Sequence, residues 1–172
     1  LNLKLANNLR LKNNDDLSNT NEIGKKTSDI FSEISYSPND NLSTKYITAI
    51  KNNLSEINSE NLITEVKVNK FSTLVDYLNE NNTINTNSYI SNTSAYNLDE
   101  FNSFSFSTRK NKTLDLTEYY NLMYQYKNDC LAASIEYKKD FYSDKELKPD
   151  ETILFKLTIT PFAEISSPDF KQ

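Results

Sequence analysis

The fold of this chain is decided by one stretch near its C-terminal end. It reads LTEYYNLMYQY (Leu116–Tyr126), KND (Lys127–Asp129), CLAASIEYKKDFY (Cys130–Tyr142), SDKELKPDE (Ser143–Glu151) and TILFKLTITPF (Thr152–Phe162). Apolar and polar side chains alternate in the first, third and fifth segments, which predicts three long β-strands. A very short turn joins the first two strands, and a longer polar loop joins the second to the third.

These predicted strands are long for a soluble sheet, in which about 5–6 residues are typical. A tilted strand that crosses a bilayer needs roughly 9–11 residues. Short turns on one side and longer loops on the other are typical of outer-membrane barrels. The stretch therefore predicts part of a membrane-spanning β-barrel.

The same pattern extends towards the N-terminus, from an alternating strand at Leu1–Leu11 onwards, and Val66 and Val68 alternate with Glu65 and Lys67. We predict an all-β fold: an antiparallel up-and-down transmembrane β-barrel segment with about ten strands of a larger barrel. Long and short connections alternate, which places the short turns and the C-terminus on the periplasmic side. The predicted connections are 13–26, 37–41, 52–60, 69–72, 79–85, 97–100, 109–113, 127–129 and 143–151.

Composition fits such a barrel better than an ordinary globular domain. The 172 residues are 37% apolar, below the roughly 45–50% of soluble domains, yet they include 11 Tyr and 9 Phe, which disordered chains lack. In a barrel only alternate residues need be apolar. Because the chain begins with Leu1 in an alternating run, we interpret residues 1–172 as the C-terminal part of a longer outer-membrane barrel protein.

The chain has one Gly and four Pro, although turns in all-β proteins normally use both. Asn is abundant instead. It tolerates left-handed turn geometry better than other non-Gly residues, but an AT-rich genome would enrich it too.

Several functions are excluded or disfavoured by residue type. The chain has no His, which removes the Ser-His-Asp triad and most catalytic zinc sites. The carboxylate pairs Asp76 and Glu80, and Asp144 and Glu146, sit at predicted loops, where acids are usually solvated. We expect no enzyme activity, no cofactor and no metal site. With a net charge of -5 and no basic stripe, nucleic acid is not an expected partner.

Cys130 is the chain's single cysteine, and it follows a turn that we place on the periplasmic side. The periplasm is oxidising, and a thiol there usually ends in a disulfide. Because the chain has no second cysteine, we expect the bonding partner to lie in the missing upstream part.

Aromatic side chains fall on one face of each predicted strand in the last third of the chain. Aromatic rings at both water–lipid boundaries are the expected barrel signature, although a dry soluble core would use them equally well. The predicted membrane anchors are Tyr120, Tyr124, Tyr126, Tyr137, Phe141 and Phe155.

Several segments resemble the C-terminal barrel of the lipopolysaccharide-assembly outer-membrane protein (LptD) family, most closely its alphaproteobacterial branch. The likeness covers residues 101–162 in detail and only the architecture before them. The residues that carry it are Ser105–Lys112, Leu114–Leu122, Tyr126–Ala133, Glu136–Lys139 and Leu147–Pro149.

The resemblance implies a non-enzymatic transporter in the Gram-negative cell outer membrane, which takes lipopolysaccharide from a periplasmic bridge through the missing N-terminal domain. The barrel would release it sideways into the outer leaflet, through a gate between its first and last strands. Implied partners are lipopolysaccharide, outer-membrane lipids, the barrel-assembly machinery and a lipoprotein plug in the lumen. Cys130 would match the family's C-terminal cysteine, which bonds to a cysteine near the N-terminal domain.

By the same resemblance, the last strand, Thr152–Phe162, is one lip of the gate, and Phe162 is similar to the family's terminal assembly signal. Pro161 cannot donate a ladder hydrogen bond, which either eases opening or simply ends the strand. The gate-strand residues are Thr152, Leu154, Lys156, Thr158, Thr160 and Pro161.

The chain departs from the family in lacking the N-terminal domain and the strands that would close the barrel. Alone it would have two unpaired edges, at Leu1–Leu11 and Thr152–Phe162, and would transport nothing. Two alternative functions remain open. One is a porin-like or receptor outer-membrane barrel, which needs no periplasmic disulfide, and the other is a soluble β-rich surface adhesin domain.

Overall fold

The computed structural model describes residues 1–17, 22–81, 86–142 and 147–159, and the backbone of two further short strands at 163–166 and 170–171. It is all-β. The described residues include no helix long and apolar enough to cross a membrane. Several residues singled out above lie outside the described ones: Asp144, Glu146, Thr160, Pro161 and Phe162.

Twelve strands form one sheet, in which β1 to β11 neighbour one another in chain order and β12 pairs with β10. Such an order is an antiparallel up-and-down meander, and the predicted fold class is confirmed. The strands are β1 (Asn2–Ala6), β2 (Ile30–Asn39), β3 (Leu42–Ile50), β4 (Ile57–Val68), β5 (Phe71–Asn81), β6 (Thr86–Asn97), β7 (Asn102–Asn111), β8 (Leu116–Lys127), β9 (Leu131–Asp140), β10 (Asp150–Ile159), β11 (Ala163–Ser166) and β12 (Phe170–Lys171).

The strands are long, as the alternation predicts: β4, β6 and β8 have 12 residues each, and β9 and β10 have 10. The strand predicted at Cys130–Tyr142 is nevertheless shorter, because β9 covers only Leu131–Asp140. The connections differ more from the prediction. The regular alternation of long and short connections fails in the middle of the chain, where the connections 98–101 and 112–115 are equal in length. Strands β5 and β7 extend into segments that were predicted as loops, because polar residues such as Asn79 and Asn111 also fit a sheet with one wet face.

The turn predicted at 37–41 is shorter, because β2 continues to Asn39. The pairing of β2 with β3 shifts register between Tyr36 and Asn39, which accommodates Pro38 in the strand. The Asn39 side-chain oxygen then accepts hydrogen bonds from the backbone N–H groups of Asn41 and Leu42, both at 3.0 Å.

The first predicted strand, Leu1–Leu11, is too long, since β1 ends at Ala6. Beyond it, the backbone N–H of Asn8 donates to the Ser28 hydroxyl at 2.9 Å. Gly24 belongs to the same connection, and a Cβ added there would lie 2.6 Å from the Asn14 carbonyl oxygen. That close approach of two backbone segments requires a residue without a side chain.

The prediction that Thr152–Phe162 is the last strand is wrong. Strand β10 ends at Ile159, and its outer edge is paired by β11 along Lys156–Ile159 and by β12 at Thr152 and Ile153. Strand β9 pairs with its other edge along the whole of Asp150–Ile159. Both edges of the proposed gate strand β10 are therefore paired, one by β9 and the other by the short strands β11 and β12.

The chain forms two compact units, Leu1–Glu65 with Val75–Tyr89 and Val66–Leu74 with Ile90–Gln172. In the first unit the buried side chains are largely polar, and Asp29, fully buried, accepts a hydrogen bond from the Asn58 amide at 2.6 Å. Among the side chains that the structure describes, in both units, Ala49 is the only buried apolar one.

Asn69 provides a test of how this chain makes turns with almost no glycine. It lies in the two-residue connection from β4 to β5 and has a φ of 53°, a conformation that costs most L-residues about 1–2 kcal/mol. We expect Asn69→Val to lower the free energy of unfolding by about 1–2 kcal/mol, because a β-branched side chain crowds the left-handed backbone. Asn69→Gly should have little effect. Guanidinium titrations of the two variants in detergent measure the difference, and equal stabilities would contradict it.

Candidate functional site

In the second unit, strands β7 to β10 place their apolar side chains on one face. Because paired residues in an antiparallel sheet point to the same side, the register defines that face row by row. One row joins Phe104, Tyr124, Ile135 and Phe155. The next row joins Phe106, Leu122, Tyr137 and Ile153.

This apolar face is exposed. The side chains of Leu122, Ile135 and Phe155 keep 48%, 49% and 49% of their accessible surface. A monomeric soluble protein rarely exposes a continuous apolar patch larger than a few hundred Å². The face therefore requires a cover that the described residues of the second unit do not provide.

The six predicted membrane anchors lie together on this face. The register puts Tyr120, Tyr124 and Tyr126 on the same side of β8, and the Tyr120 ring meets the Phe141 ring edge-on at 5.6 Å. Tyr137 and Phe155 belong to the two rows described above. The register thus groups these residues on one face, and their role as membrane anchors stays a prediction.

The opposite face of the same strands is polar. Ser107, Asn121, Lys138 and Thr152 form one of its rows, and the Asn121 amide donates to the Glu136 carboxylate at 2.5 Å. By register, the described gate-strand residues Thr152, Leu154, Lys156 and Thr158 belong to this polar face. The sheet thus has one apolar and one wet side, as a barrel wall requires.

Strands β1 and β2 of the first unit show the same division. Leu3 pairs with Ile34 on one face, and their side chains are 59% and 39% exposed. On the other face the Lys4 ammonium lies 2.9 Å from the Glu33 carboxylate. An exposed ion pair of this kind adds little stability, so the pair marks the water-facing side rather than a functional site.

Cys130 occupies the turn between β8 and β9, one residue before the strand in which it was predicted. The Asn128 side-chain oxygen accepts hydrogen bonds from the backbone N–H groups of Cys130, at 3.0 Å, and of Leu131, at 2.7 Å. The thiol is free and exposed. It is thus accessible to a cysteine outside this chain, and the predicted disulfide stays a prediction.

The turn before β7 is built in the same way around Asp99. Its carboxylate accepts hydrogen bonds at 2.8 Å from the backbone N–H groups of Phe101 and Asn102 and from the Asn102 amide. The Phe101 hydrogen bond is the main reason why the pKa of Asp99 lies below its ordinary value, and the Asn102 amide adds to it. The charged form of Asp99 therefore stabilises this turn.

Sequence reasoning missed two polar clusters. One is the buried Asp29–Asn58 pair, and the other is the charged group around Tyr119, which consists of Arg109, Glu118, Lys138 and Asp140. Both bring together residues from different strands, and no local sequence motif predicts such contacts. Among the described residues, no group of three or more His, Cys, Asp or Glu side chains could hold a metal ion.

The apolar face can be tested by placing a charge on it. We expect Leu122→Arg to lower the free energy of unfolding in phospholipid vesicles by about 2–4 kcal/mol, the cost of a cation facing lipid near the bilayer centre. Ser105→Arg, on the polar face of the neighbouring strand, is the matched control and should change it by less than about 0.5 kcal/mol. Chemical denaturation of both variants measures the difference, and equal effects would mean that this face does not meet lipid.

The Asp99 turn should lose stability in acid. Because the pKa of folded Asp99 is lowered, its contribution is complete above the unfolded pKa of about 4 and disappears as the pH falls through the folded pKa. The stability difference between wild type and Asp99→Ala should therefore be largest at neutral pH and shrink below pH of about 4. Thermal unfolding across this range measures it, and a difference independent of pH would show that the charge is irrelevant.

Comparison with known proteins adds no assignment to this geometry. No protein-family model matches the sequence, and no curated protein matches it either. The resemblance to the lipopolysaccharide-assembly family therefore stays a prediction that rests on the segments quoted for it.

Proposed function

We propose that this chain forms part of the wall of an outer-membrane β-barrel that delivers lipopolysaccharide to the outer leaflet. The observation that carries the membrane part is the exposed apolar face of β7 to β10, centred on Leu122 and Ile135. The cargo rests on the resemblance of residues 101–162 to the lipopolysaccharide-assembly family.

A bilayer is the cover that suits this face best. Burying apolar surface is worth about 25 cal/mol per Å², and lipid tails can cover both rows of the face at once. Strands β8 and β9, with 12 and 10 residues, are long enough for a tilted crossing, which needs roughly 9–11. The tyrosines of this face, such as Tyr124, whose ring lies 5.0 Å from that of Phe104, supply amphipathic rings of the type that favours membrane boundaries.

The polar face of the sheet also supports the proposal that the chain is part of a barrel wall. In a barrel, the residues between the lipid-facing ones point into a wet lumen. Hydrogen-bonded pairs such as Asn121 with Glu136 need either water or a polar cargo beside them. A glycolipid with a hydrophilic headgroup is such a cargo.

Under this proposal, the turn 128–130 lies on the periplasmic side, and the exposed Cys130 thiol bonds to a cysteine of the N-terminal periplasmic region. That bond would tie the barrel to the domain that receives lipopolysaccharide from the periplasmic bridge. A lipoprotein plug and the barrel-assembly machinery are the other proposed partners.

Lateral release would require the edge of β10 to change partners. Strands β11 and β12 now occupy that edge at Lys156–Ile159 and at Thr152–Ile153. Short strands have few ladder hydrogen bonds to lose, so they can be displaced by a longer partner strand. In the proposal, the first strand of the complete barrel is that partner.

The experiment that tests this function compares wild type with Cys130→Ser in the envelope of the native cell. We expect a reductant-sensitive shift in gel mobility for the wild type and none for the variant. In cells that carry the variant, we also expect less lipopolysaccharide to reach the cell surface. Asp129→Ser, in the same turn, is the matched control and should keep the shift.

The other outcomes separate the competing functions. An outer-membrane protein without a reductant-sensitive shift would contradict lipopolysaccharide export and favour a porin-like barrel. A protein that leaves the membrane without detergent would contradict both and favour a soluble adhesin domain.

A further inference from the structure

An open cleft of about 510 Å³ lies at the edge of the sheet where β7 and β9 end and β8 begins, beside Leu114 and Tyr142. Its polar lining consists of Arg109, Glu118, Tyr119, Lys138 and Asp140. A volume in this range suits a small ligand or a segment of a larger one. The cleft lies within the second unit.

A β-bulge forms one wall of the cleft. Arg109 pairs with Tyr119, but the next pair is Lys110 with Thr117, so Glu118 is an extra residue in β8. Bulges redirect side chains, and the Glu118 carboxylate here forms an ion pair with the Arg109 guanidinium. It also accepts a hydrogen bond from the Asn111 amide at 3.2 Å.

The Tyr119 ring forms the centre of the cleft. The Arg109 guanidinium carbon lies 5.7 Å from its centroid, and the Lys138 ammonium lies 5.8 Å from it. Both distances are within cation–π range. Lys138 also pairs with the Asp140 carboxylate at 2.9 Å, and Asp140 is paired with Tyr119 in the sheet.

The charges of the cleft therefore balance, with two cations and two carboxylates around one phenol ring. The side chains of Arg109 and Lys138 are each 43% exposed, and those of Glu118 and Asp140 are 25% and 30% exposed. These groups are partly accessible, and their mutual contacts hold them in place before any ligand arrives. Preorganised groups lose less entropy on binding.

A ligand for this cleft must both donate and accept hydrogen bonds and carry little net charge. Sugar hydroxyls do both, because a hydroxyl donates to a carboxylate and accepts from a guanidinium or an ammonium. Leu114, Leu116 and the Tyr142 ring also line the cleft, and their carbon surfaces match the C–H surface of a pyranose ring. We infer that this cleft is a binding site for neutral carbohydrate, with Arg109 and Lys138 as donors and Glu118 and Asp140 as acceptors.

The test uses the full chain folded in detergent micelles, with maltotriose as the probe, followed by saturation-transfer NMR. We expect transfer to maltotriose in the millimolar range, and a loss of at least about five-fold in affinity, equivalent to about 1 kcal/mol, in Glu118→Gln. Because Glu118 sits in a bulge and its replacement could alter the fold, Lys138→Gln tests the opposite wall and should show a similar loss. Lys45→Gln, on a polar face of the first unit and outside the cleft, is the control and should bind like wild type.

Any one of three results would overturn the carbohydrate site. No transfer from wild type to maltotriose overturns the site, and so does an equal loss in Lys45→Gln, which would mean that the sugar binds elsewhere. Binding of inorganic phosphate alone, detected by phosphorus NMR, also overturns it, because the site would then be one for anions. The carbohydrate site and the proposed export function can fail separately, since this test involves neither Cys130 nor the outer membrane.

Discussion

The structure depends on one constraint: the sheet has an apolar side that the described residues leave largely uncovered. Among the described side chains, only Ala49 is both apolar and buried, while Leu122, Ile135 and Phe155 stay about half exposed. Soluble domains obtain most of their stability by burying such groups. Under the proposed function, the bilayer supplies this free energy by covering the apolar side.

A second constraint concerns the turns. The long strands must be joined by tight turns, although the chain has only one Gly. Four turn side chains accept hydrogen bonds from backbone N–H groups two or three positions further on: those of Asn39, Asp99, Asn111 and Asn128. These Asx-type contacts replace the conformational freedom that glycine would supply. The abundance of Asn thus has a structural use, whatever the base composition of the genome contributes.

The two faces of the sheet divide the functional roles. The apolar face carries no chemistry beyond its need for a cover, and its aromatic rings pack against one another rather than around a ligand. The polar face holds the hydrogen-bonded and ionic groups, including Asn121 with Glu136 and the cluster around Tyr119. Specific recognition is therefore expected on the polar face, where directional contacts are available.

Strand identity, approximate strand number and the membership of each face could be predicted from the sequence, because alternation with period two is a local property. Tyr120 and Tyr124 share a face for that reason alone. The bulge at Glu118, the exact turn at Cys130 and the covered edge of β10 could not be predicted. Each depends on which residues of neighbouring strands pair, and that register is fixed by cross-strand hydrogen bonds and side-chain packing between distant parts of the chain. The sequence by itself determined a two-faced antiparallel sheet, and only the tertiary structure decided where its polar groups converge and which of its edges is occupied.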